Sequence, residues 1–380
     1  MLDSELRRPG FAGSVDDVWL DVIDAVARES GLALAPSKLA VEVRALSEAY
    51  NTGDFAKSRA RGALSARLLF SFARDVPKME CAARELADAE LLKLPMRVLD
   101  VGAGLGASTW GLARLLAKRG LRGTIDVAMV DEDEAALEIA RAIVRAHPTE
   151  GDVEVRVVPE TRGPYDVILV GQSLGEIDPD ETKQVAFLSK LLERLTPDGS
   201  LVVVEPALRD RTRRLHRVRD ALASRGITIF APCLHSGACP MLARESDWCH
   251  EDVAIDLPPR VATIARAAGL RWQGLTFSYL VLRRDEKTLR SSIASPVAFR
   301  VVSAPIDTKG KRELFLCGAT SDGGGEIRRV ARLDRDEKPK SAWSDAARGD
   351  VLVLSRPLGV GEKRITHEVG VKKANPRGTS

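Results

Sequence analysis

From Met96 onward, apolar runs of strand length alternate with segments of helical periodicity. RVLDV leads into a glycine-rich turn and the helical segment STWGLARLLAKRG, and the runs IDVAMVD, YDVILVG, SLVVVE and LTFSYLVLRR follow along the chain. Such alternation of strands and helices indicates a doubly wound α/β domain. The sequence therefore predicts a doubly wound, Rossmann-like α/β domain over residues 95–290, with a cysteine-bearing insertion at 232–250.

The segments on either side of this domain have different patterns. Residues 1–94 repeat apolar side chains at helical spacing, as in SKLAVEVRALSEAY, and predict a helical N-terminal region. From Ala294, short β-prone runs such as FRVVSAP and DVLVLSRP are separated by Gly, Asp and Pro, so we expect a small basic β-domain of barrel-like form over 294–365. The polar residues 366–380 predict a flexible tail.

The turn LDVGAGLGAS contains the first group of candidate site residues. Asp100 ends a predicted strand, Gly102, Gly104 and Gly106 follow it, and Asp131 ends the next strand. Glycines at such a turn let the backbone approach a ligand and leave amides free at the start of a helix, and an acid after the second strand can accept hydrogen bonds from ribose hydroxyls. The spacing differs from the dinucleotide fingerprint. The alternative is a tight turn without a ligand.

Cysteine usage supplies the second group of candidates. The chain has five cysteines, and three of them, Cys233, Cys239 and Cys249, lie within PCLHSGACPMLARESDWCH; the next is Cys317. An odd number of cysteines argues against a disulfide framework. Four soft ligands suit either Zn²⁺ or an iron–sulfur cluster, and the spacing is wider than that of most structural zinc sites. The alternative is that the thiols are buried as small apolar side chains.

The charge distribution favours an anionic partner. The net charge is +3, but the segment from Pro296 carries 17 Lys and Arg against 11 Asp and Glu, a net charge of +6. The segment ALRDRTRRLHRVRDAL predicts a helix with an apolar stripe and arginines directed outward, either solvated or bound to phosphates of RNA. No apolar run approaches the roughly 20 residues of a membrane span. The first residues match neither a signal peptide nor a transit peptide, so we expect a cytoplasmic monomer with no membrane partner.

Two resemblances extend this interpretation. The glycine turn, the acid-ended second strand and a final strand entered through a helix together resemble class I S-adenosylmethionine-dependent methyltransferases. That resemblance implies S-adenosylmethionine binding at these candidate residues: Asp100, Gly102, Gly104, Gly106 and Asp131. The segments APCLHSGACP, DWCH and LCGATSDG, together with the arginine-rich helix, resemble the methyltransferase-like proteins of the mitochondrial small ribosomal subunit and their bacterial relatives.

The second resemblance implies a [4Fe–4S] cluster and binding to small-subunit ribosomal RNA. Its cluster ligands fall on Cys233, Cys239, Cys249 and Cys317. Glu251 departs from this pattern, because an aromatic residue commonly stands there. The strand YDVILVG is followed by QSLGEI, without the aromatic clamp of many base methyltransferases, so the sequence identifies no catalytic residue. We expect a ribosome assembly or translation factor. The alternatives are an active rRNA methyltransferase and a small-molecule methyltransferase with a zinc-stapled lid.

Overall fold

The computed structural model describes residues 11–54, 60–320, 322–336 and 341–374. Its helices are, in chain order, α1 Asp17–Glu29, α2 Pro36–Thr52, α3 Arg61–Ala66, α4 Phe72–Asp88, α5 Ala107–Lys118, α6 Glu134–Ala146, α7 Leu174–Ile177, α8 Glu181–Glu193, α9 Arg209–Ala223 and α10 Pro259–Ala267. A π-helical turn, Arg67–Ser71, joins α3 to α4, and short 3₁₀ turns occur at Pro240–Ala243, Arg290–Ser292 and Asp334–Asp336.

The strands form two separate sheets. They are β1 Phe11–Ala12, β2 Met96–Val101, β3 Gly123–Val130, β4 Thr149–Glu150, β5 Val153–Val157, β6 Tyr165–Gly171, β7 Leu195–Pro206, β8 Thr228–Ala231, β9 Glu251–Ile255, β10 Gly274–Arg283, β11 Ala298–Val301, β12 Ile306–Thr308, β13 Lys311–Ala319, β14 Gly325–Leu333, β15 Val351–Leu354 and β16 Val371–Lys373. The first ten strands make the large sheet and the last six the small one.

The large sheet has the strand order of class I methyltransferases. Its centre runs β5-β3-β2-β6-β7 with all neighbours parallel, and β10 then pairs with β7 in the antiparallel direction. The order reverses at β2, so the crevice beside its carboxyl end is the expected binding position in a doubly wound sheet. The Rossmann-like methyltransferase fold predicted from the sequence is confirmed.

Apolar layers cover both faces of the large sheet. One layer contains the N-terminal helices with α5, α6 and α10, and the other contains α8 and α9. The close approach of α4 and α5 depends on Gly111, because a side chain there would come within 2.4 Å of the carbonyl oxygen of Val76. The N-terminal helices are thereby fixed against the sheet and close over its carboxyl edge.

The small sheet has a core of its own. Its strand order is β12-β13-β11-β15-β16, and β14 also pairs with β13. All of these pairs are antiparallel. The core includes Trp343 and Ile365, both fully buried. Residues 366–374, expected to belong to a flexible tail, are instead part of the small domain, because Val369 is buried and Val371–Lys373 pair with β15. Residues 375–380 lie outside the described residues. In the part of the chain that the structure describes, no helix is long and apolar enough to span a membrane.

Candidate functional site

A pocket of about 410 Å³ opens at the carboxyl edge of the parallel strands. Its floor is the turn after β2, its sides are the loops after β3 and β6, and its roof is formed by α2 and α4. The lining residues used below are Tyr50, Arg67, Asp75, Lys78, Gly102, Gly104, Asp131, Gln172, Ser173 and Glu176. The N-terminal helices that close the pocket lie outside the segment that carries the glycine turn, and no sequence motif indicated their role.

The glycine turn is shaped for close approach of backbone and ligand. Gly102 and Gly104 have φ values of 65° and 52°, in the left-handed region that favours glycine. The amides of Gly102 and Ala103 both donate to the carbonyl oxygen of Val130, at 2.8 and 3.1 Å. A side chain at Gly102 would lie 2.4 Å from that of Ser173, whose hydroxyl donates to the carbonyl of Val101. The turn is therefore packed from below and open toward the pocket.

The two predicted acids have different surroundings. Asp131 lines the pocket, and its carboxylate accepts the amides of Gly104 and Asp133, each at 2.8 Å. Asp100 is fully buried beneath α5, accepts hydrogen bonds from the amide and hydroxyl of Thr109, and does not line the pocket. Burial raises the pKa of Asp100 to about 7. Asp100 therefore holds the turn against α5 rather than facing a ligand.

Gly106 also supports the turn without lining the pocket. It precedes α5 with a φ of 80°, and its amide donates to the carbonyl of Ala103. A side chain there would meet Met129 at 3.2 Å. Of the five candidate cofactor residues, the structure thus brings Gly102, Gly104 and Asp131 to the pocket wall.

Arg67 crosses the glycine turn from the π-helical segment. Its Nη1 pairs with Asp133 at 2.8 Å, and its Nη2 lies 2.7 Å from where a side chain on Gly104 would begin. Tyr50 is close to it, and burial raises the pKa of the Tyr50 hydroxyl to about 12, so this phenol stays protonated at neutral pH. A π-helical turn often marks a functional position, and the sequence analysis did not predict this one.

The four candidate metal ligands surround a second, smaller cavity. Cys233, Cys239, Cys249 and Cys317 all line a space of about 50 Å³ between α9, the 232–250 segment, β10 and β13. Burial raises the pKa of Cys239 to about 12 and raises those of Cys249 and Cys317 well above the usual range, with repulsion between the sulfurs adding to it. The structure therefore gathers the cysteines that the sequence predicted would act together.

The donors are not arranged around a single ion. Within the described ranges, no three His, Cys, Asp or Glu side chains lie close enough together to hold a metal ion. Two of the potential ligands are in contact, with Cys317 Sγ 3.7 Å from His235 Nε2. The expected metal site at Cys233, Cys239, Cys249 and Cys317 is therefore not assembled as a single-ion centre, although all four thiols line one cavity.

The cysteine segment packs directly on the small sheet. A side chain at Gly237 would meet Gly324 at 2.7 Å, and one at Gly325 would meet the His235 ring at 2.3 Å. Glycines at these positions let the segment lie against the turn between β13 and β14. Because Cys317 lies on β13, the fourth thiol reaches the cavity through this contact.

Three arginines of α9, Arg211, Arg213 and Arg219, do not point outward as predicted. Arg219 is 2% exposed and donates to the carbonyls of His235, Ser236 and Gly237. Arg213 donates from Nη1 to the carbonyls of residues 241, 244 and 247, at 3.0, 2.7 and 2.6 Å. Arg211 donates to the carbonyl of Tyr50 at 2.9 Å. Arg209 and Arg217 are exposed and pair with acids.

The apolar stripe of α9 docks as predicted at Leu215, Val218 and Leu222, which are buried, whereas Leu208 is exposed.

A buried ionic network, which the sequence did not indicate, joins the three parts of the molecule. Arg300 on β11 pairs with Glu85 on α4 at 2.6 Å, and Tyr279 on β10 donates to the same carboxylate at 3.0 Å. Arg300 also donates to the carbonyl of Pro232, beside the first ligand candidate Cys233. The two sheets and the N-terminal helices are therefore coupled next to the cysteine cavity.

The family comparison matches most of this structure. Residues 66–348 match the family described as mitochondrial small ribosomal subunit Rsm22. The chain belongs to this family. The match begins at the end of α3, just before the roof helix α4, and includes β2 to β14 and all four cysteines of the small cavity. The resemblance inferred from the cysteine segments is therefore confirmed, and with it a methyltransferase-like, ribosome-related class of protein. No curated protein sequence matches the chain.

Solved methyltransferases resemble parts of the chain at low identity. A methyltransferase from Pyrococcus furiosus is 14% identical, covering 53% of this chain and 82% of its own, with a TM-score of 0.31. The plantazolicin methyltransferase BpumL is 14% identical, covering 68% of this chain and 100% of its own, with a TM-score of 0.35. An O-methyltransferase family protein from Burkholderia thailandensis is 18% identical, covering 61% and 60%, with a TM-score of 0.31.

Proposed function

We propose that the chain is a small-subunit assembly or translation factor that binds S-adenosylmethionine in the larger pocket. The observation that carries this proposal is the glycine turn, whose backbone lines a pocket beside the carboxyl end of β2. A side chain at Gly102 would collide with that of Ser173. Asp131 faces the same pocket with lone pairs left after its two backbone contacts. Membership of a ribosomal small-subunit family supports the biological setting.

The residues fit the cofactor in defined roles. Gly102 and Gly104 would lie against its methionine portion and Asp131 against the ribose hydroxyls. Asp100 and Gly106 would act indirectly, by holding the turn in shape. When bound, the cofactor supplies an activated methyl group. The chain's own contribution is to orient it at the sheet edge and to enclose it beneath α2 and α4, away from water.

We also propose a [4Fe–4S] cluster at Cys233, Cys239, Cys249 and Cys317. What supports this proposal is that all four thiols line one cavity, because a cubane takes four cysteine thiolates, one on each iron. Arg219 and Arg348 lie near the thiols and would offset the negative charge of a thiolate cluster.

Ribosomal RNA is the proposed macromolecular partner, bound through the small sheet. Four basic residues at one end of that sheet are exposed: Lys309, Arg335, Lys363 and Arg364. Backbone hydrogen bonds bring their segments together. The amide of Asp334, next to Arg335, donates to the carbonyl of Gly310, next to Lys309, and the amide of Ala331 donates to the carbonyl of Lys363. Grouped basic side chains of this kind neutralise phosphates and release counterions.

Calorimetry with S-adenosylhomocysteine on anaerobically purified protein tests the cofactor proposal. The intact chain should bind it, and Gly104→Val should abolish binding, because the added side chain enters the space beside Arg67. Thermal unfolding of the variant controls for its strained φ, which costs roughly 1–2 kcal/mol. Absence of binding to intact, metal-loaded protein would refute the proposal. A protein that binds the cofactor but binds no RNA at low salt would instead be a small-molecule methyltransferase.

A further inference from the structure

The side-chain amide of Gln172 has a fixed hydrogen-bonding polarity. Gln172 follows β6 at the carboxyl edge of the sheet, beside Ser173, and lines the larger pocket. Its Oε1 accepts a hydrogen bond from Lys78 Nζ at 2.9 Å. A lysine ammonium has donors only, so the oxygen of the amide must face Lys78 and its NH₂ group must face away. This NH₂ group makes no hydrogen bond to any residue that the structure describes.

Both ends of this arrangement are held in place. Lys78 also donates to Asp75 at 2.9 Å, and its side chain is only 13% exposed. The backbone of Gln172 has a φ of 60°, which is uncommon for a residue with a side chain, and its amide donates to the carbonyl of Val204 at 2.6 Å. A strained backbone kept at the rim of a pocket is characteristic of functional positions. Gln172 is thus fixed by α4 through its side chain and by β7 through its backbone.

We propose that Gln172 determines which substrate group binds beside the cofactor, and that it selects a hydrogen-bond acceptor. This inference rests on the proposed cofactor site and adds the chemistry of the substrate. A carbonyl oxygen or an unprotonated ring nitrogen of a nucleobase would accept from its NH₂ group. An exocyclic amine would instead place N–H against N–H. The two carboxylates nearby are already engaged, Asp75 by Lys78 and Glu176 by a partner of its own.

Two cofactor analogues test this without knowledge of the natural substrate. S-adenosylhomocysteine has nothing at the position of the methyl group, whereas sinefungin carries an amine there and so presents N–H donors at that position. Calorimetry would compare both ligands on metal-loaded wild type and on Gln172→Glu. The glutamate keeps an oxygen for Lys78 and replaces the NH₂ group by an acceptor. We expect wild type to prefer S-adenosylhomocysteine, and Gln172→Glu to shift the affinity ratio toward sinefungin by about tenfold or more, as a charged hydrogen bond would.

Gln172→Met is the matched control. It keeps the length of the side chain and the same backbone demand but removes the donor without adding charge, so it should relax the preference only partly. An unchanged affinity ratio in Gln172→Glu, with S-adenosylhomocysteine still bound, would overturn the role of Gln172 and leave the cofactor site standing. Failure of both ligands to bind wild type would overturn the cofactor site and this inference together.

Discussion

Replacing Arg219 by Met should unfold the cysteine segment before the rest of the molecule. Arg219 is 2% exposed, pairs with Asp220 at 2.8 Å, and donates to three carbonyls between His235 and Gly237. Methionine can fill much of the same volume but donates nothing. The three carbonyls and the Asp220 carboxylate then lose their charged donor in a place that water reaches poorly.

The expected loss is large for a single substitution. Removing one partner of a buried ion pair costs about 3–5 kcal/mol, and each unsatisfied buried carbonyl costs about 1–3 kcal/mol. These contributions overlap, because Asp220 retains the amide of Cys239 at 2.9 Å and the freed loop can relax toward water. We therefore expect the free energy of unfolding to fall by about 3–4 kcal/mol, with loss of most bound iron.

Arg217→Met provides the control on the same helix. Arg217 pairs with Glu181 at 2.5 Å, but both side chains are exposed, at 45% and 38%, so its removal should cost less than about 1 kcal/mol. Urea unfolding followed by circular dichroism, together with iron analysis, would measure both variants. Equal stability and iron content in the two variants would refute the structural role of Arg219.

Three further predictions concern the other parts of the molecule. Cys317→Ser should reduce the iron content while the α/β unit stays folded, as judged by metal analysis and circular dichroism; full iron content would exclude a fourth ligand from β13. Burial raises the pKa of Glu205 to about 7, so the folded protein holds a proton that the unfolded chain releases, and the free energy of unfolding of wild type falls as pH rises from about 4.5 to 7. Glu205→Gln lacks this dependence, so its free energy of unfolding relative to wild type should rise by roughly 2–3 kcal/mol between pH 5 and 8 in urea unfolding, and a difference that is the same at both pH values would contradict this. Changing Lys363 and Arg364 to Ala should lower the salt dependence of RNA binding by nearly one unit per lost phosphate contact in filter-binding titrations; an unchanged slope would place RNA elsewhere.

The sequence predicted the large sheet because its strands are buried on both faces. Such strands are apolar without interruption, and the helices between them fix a parallel order. The roof of the pocket could not be predicted in the same way. Tyr50, Arg67 and Lys78 lie on amphipathic helices whose spacing shows which face is buried, but not against which loop that face packs. Their role depends on contacts with the turns after β2 and β6, which are distant in sequence.

The cysteine segment explains why Arg213 and Arg219 of α9 do not face solvent as the sequence predicts. The apolar stripe correctly placed one face of α9 on the sheet, and a polar face opposite a docked helix is normally solvated. Here residues 232–250 pass over that face with little regular structure of their own, so their carbonyls lack the partners that a strand or helix would supply. Arg213 and Arg219 donate to six of them, three each. An irregular segment that must bring thiols to one cavity needs donors from outside itself, and guanidinium groups with five N–H donors each meet that need with the fewest side chains.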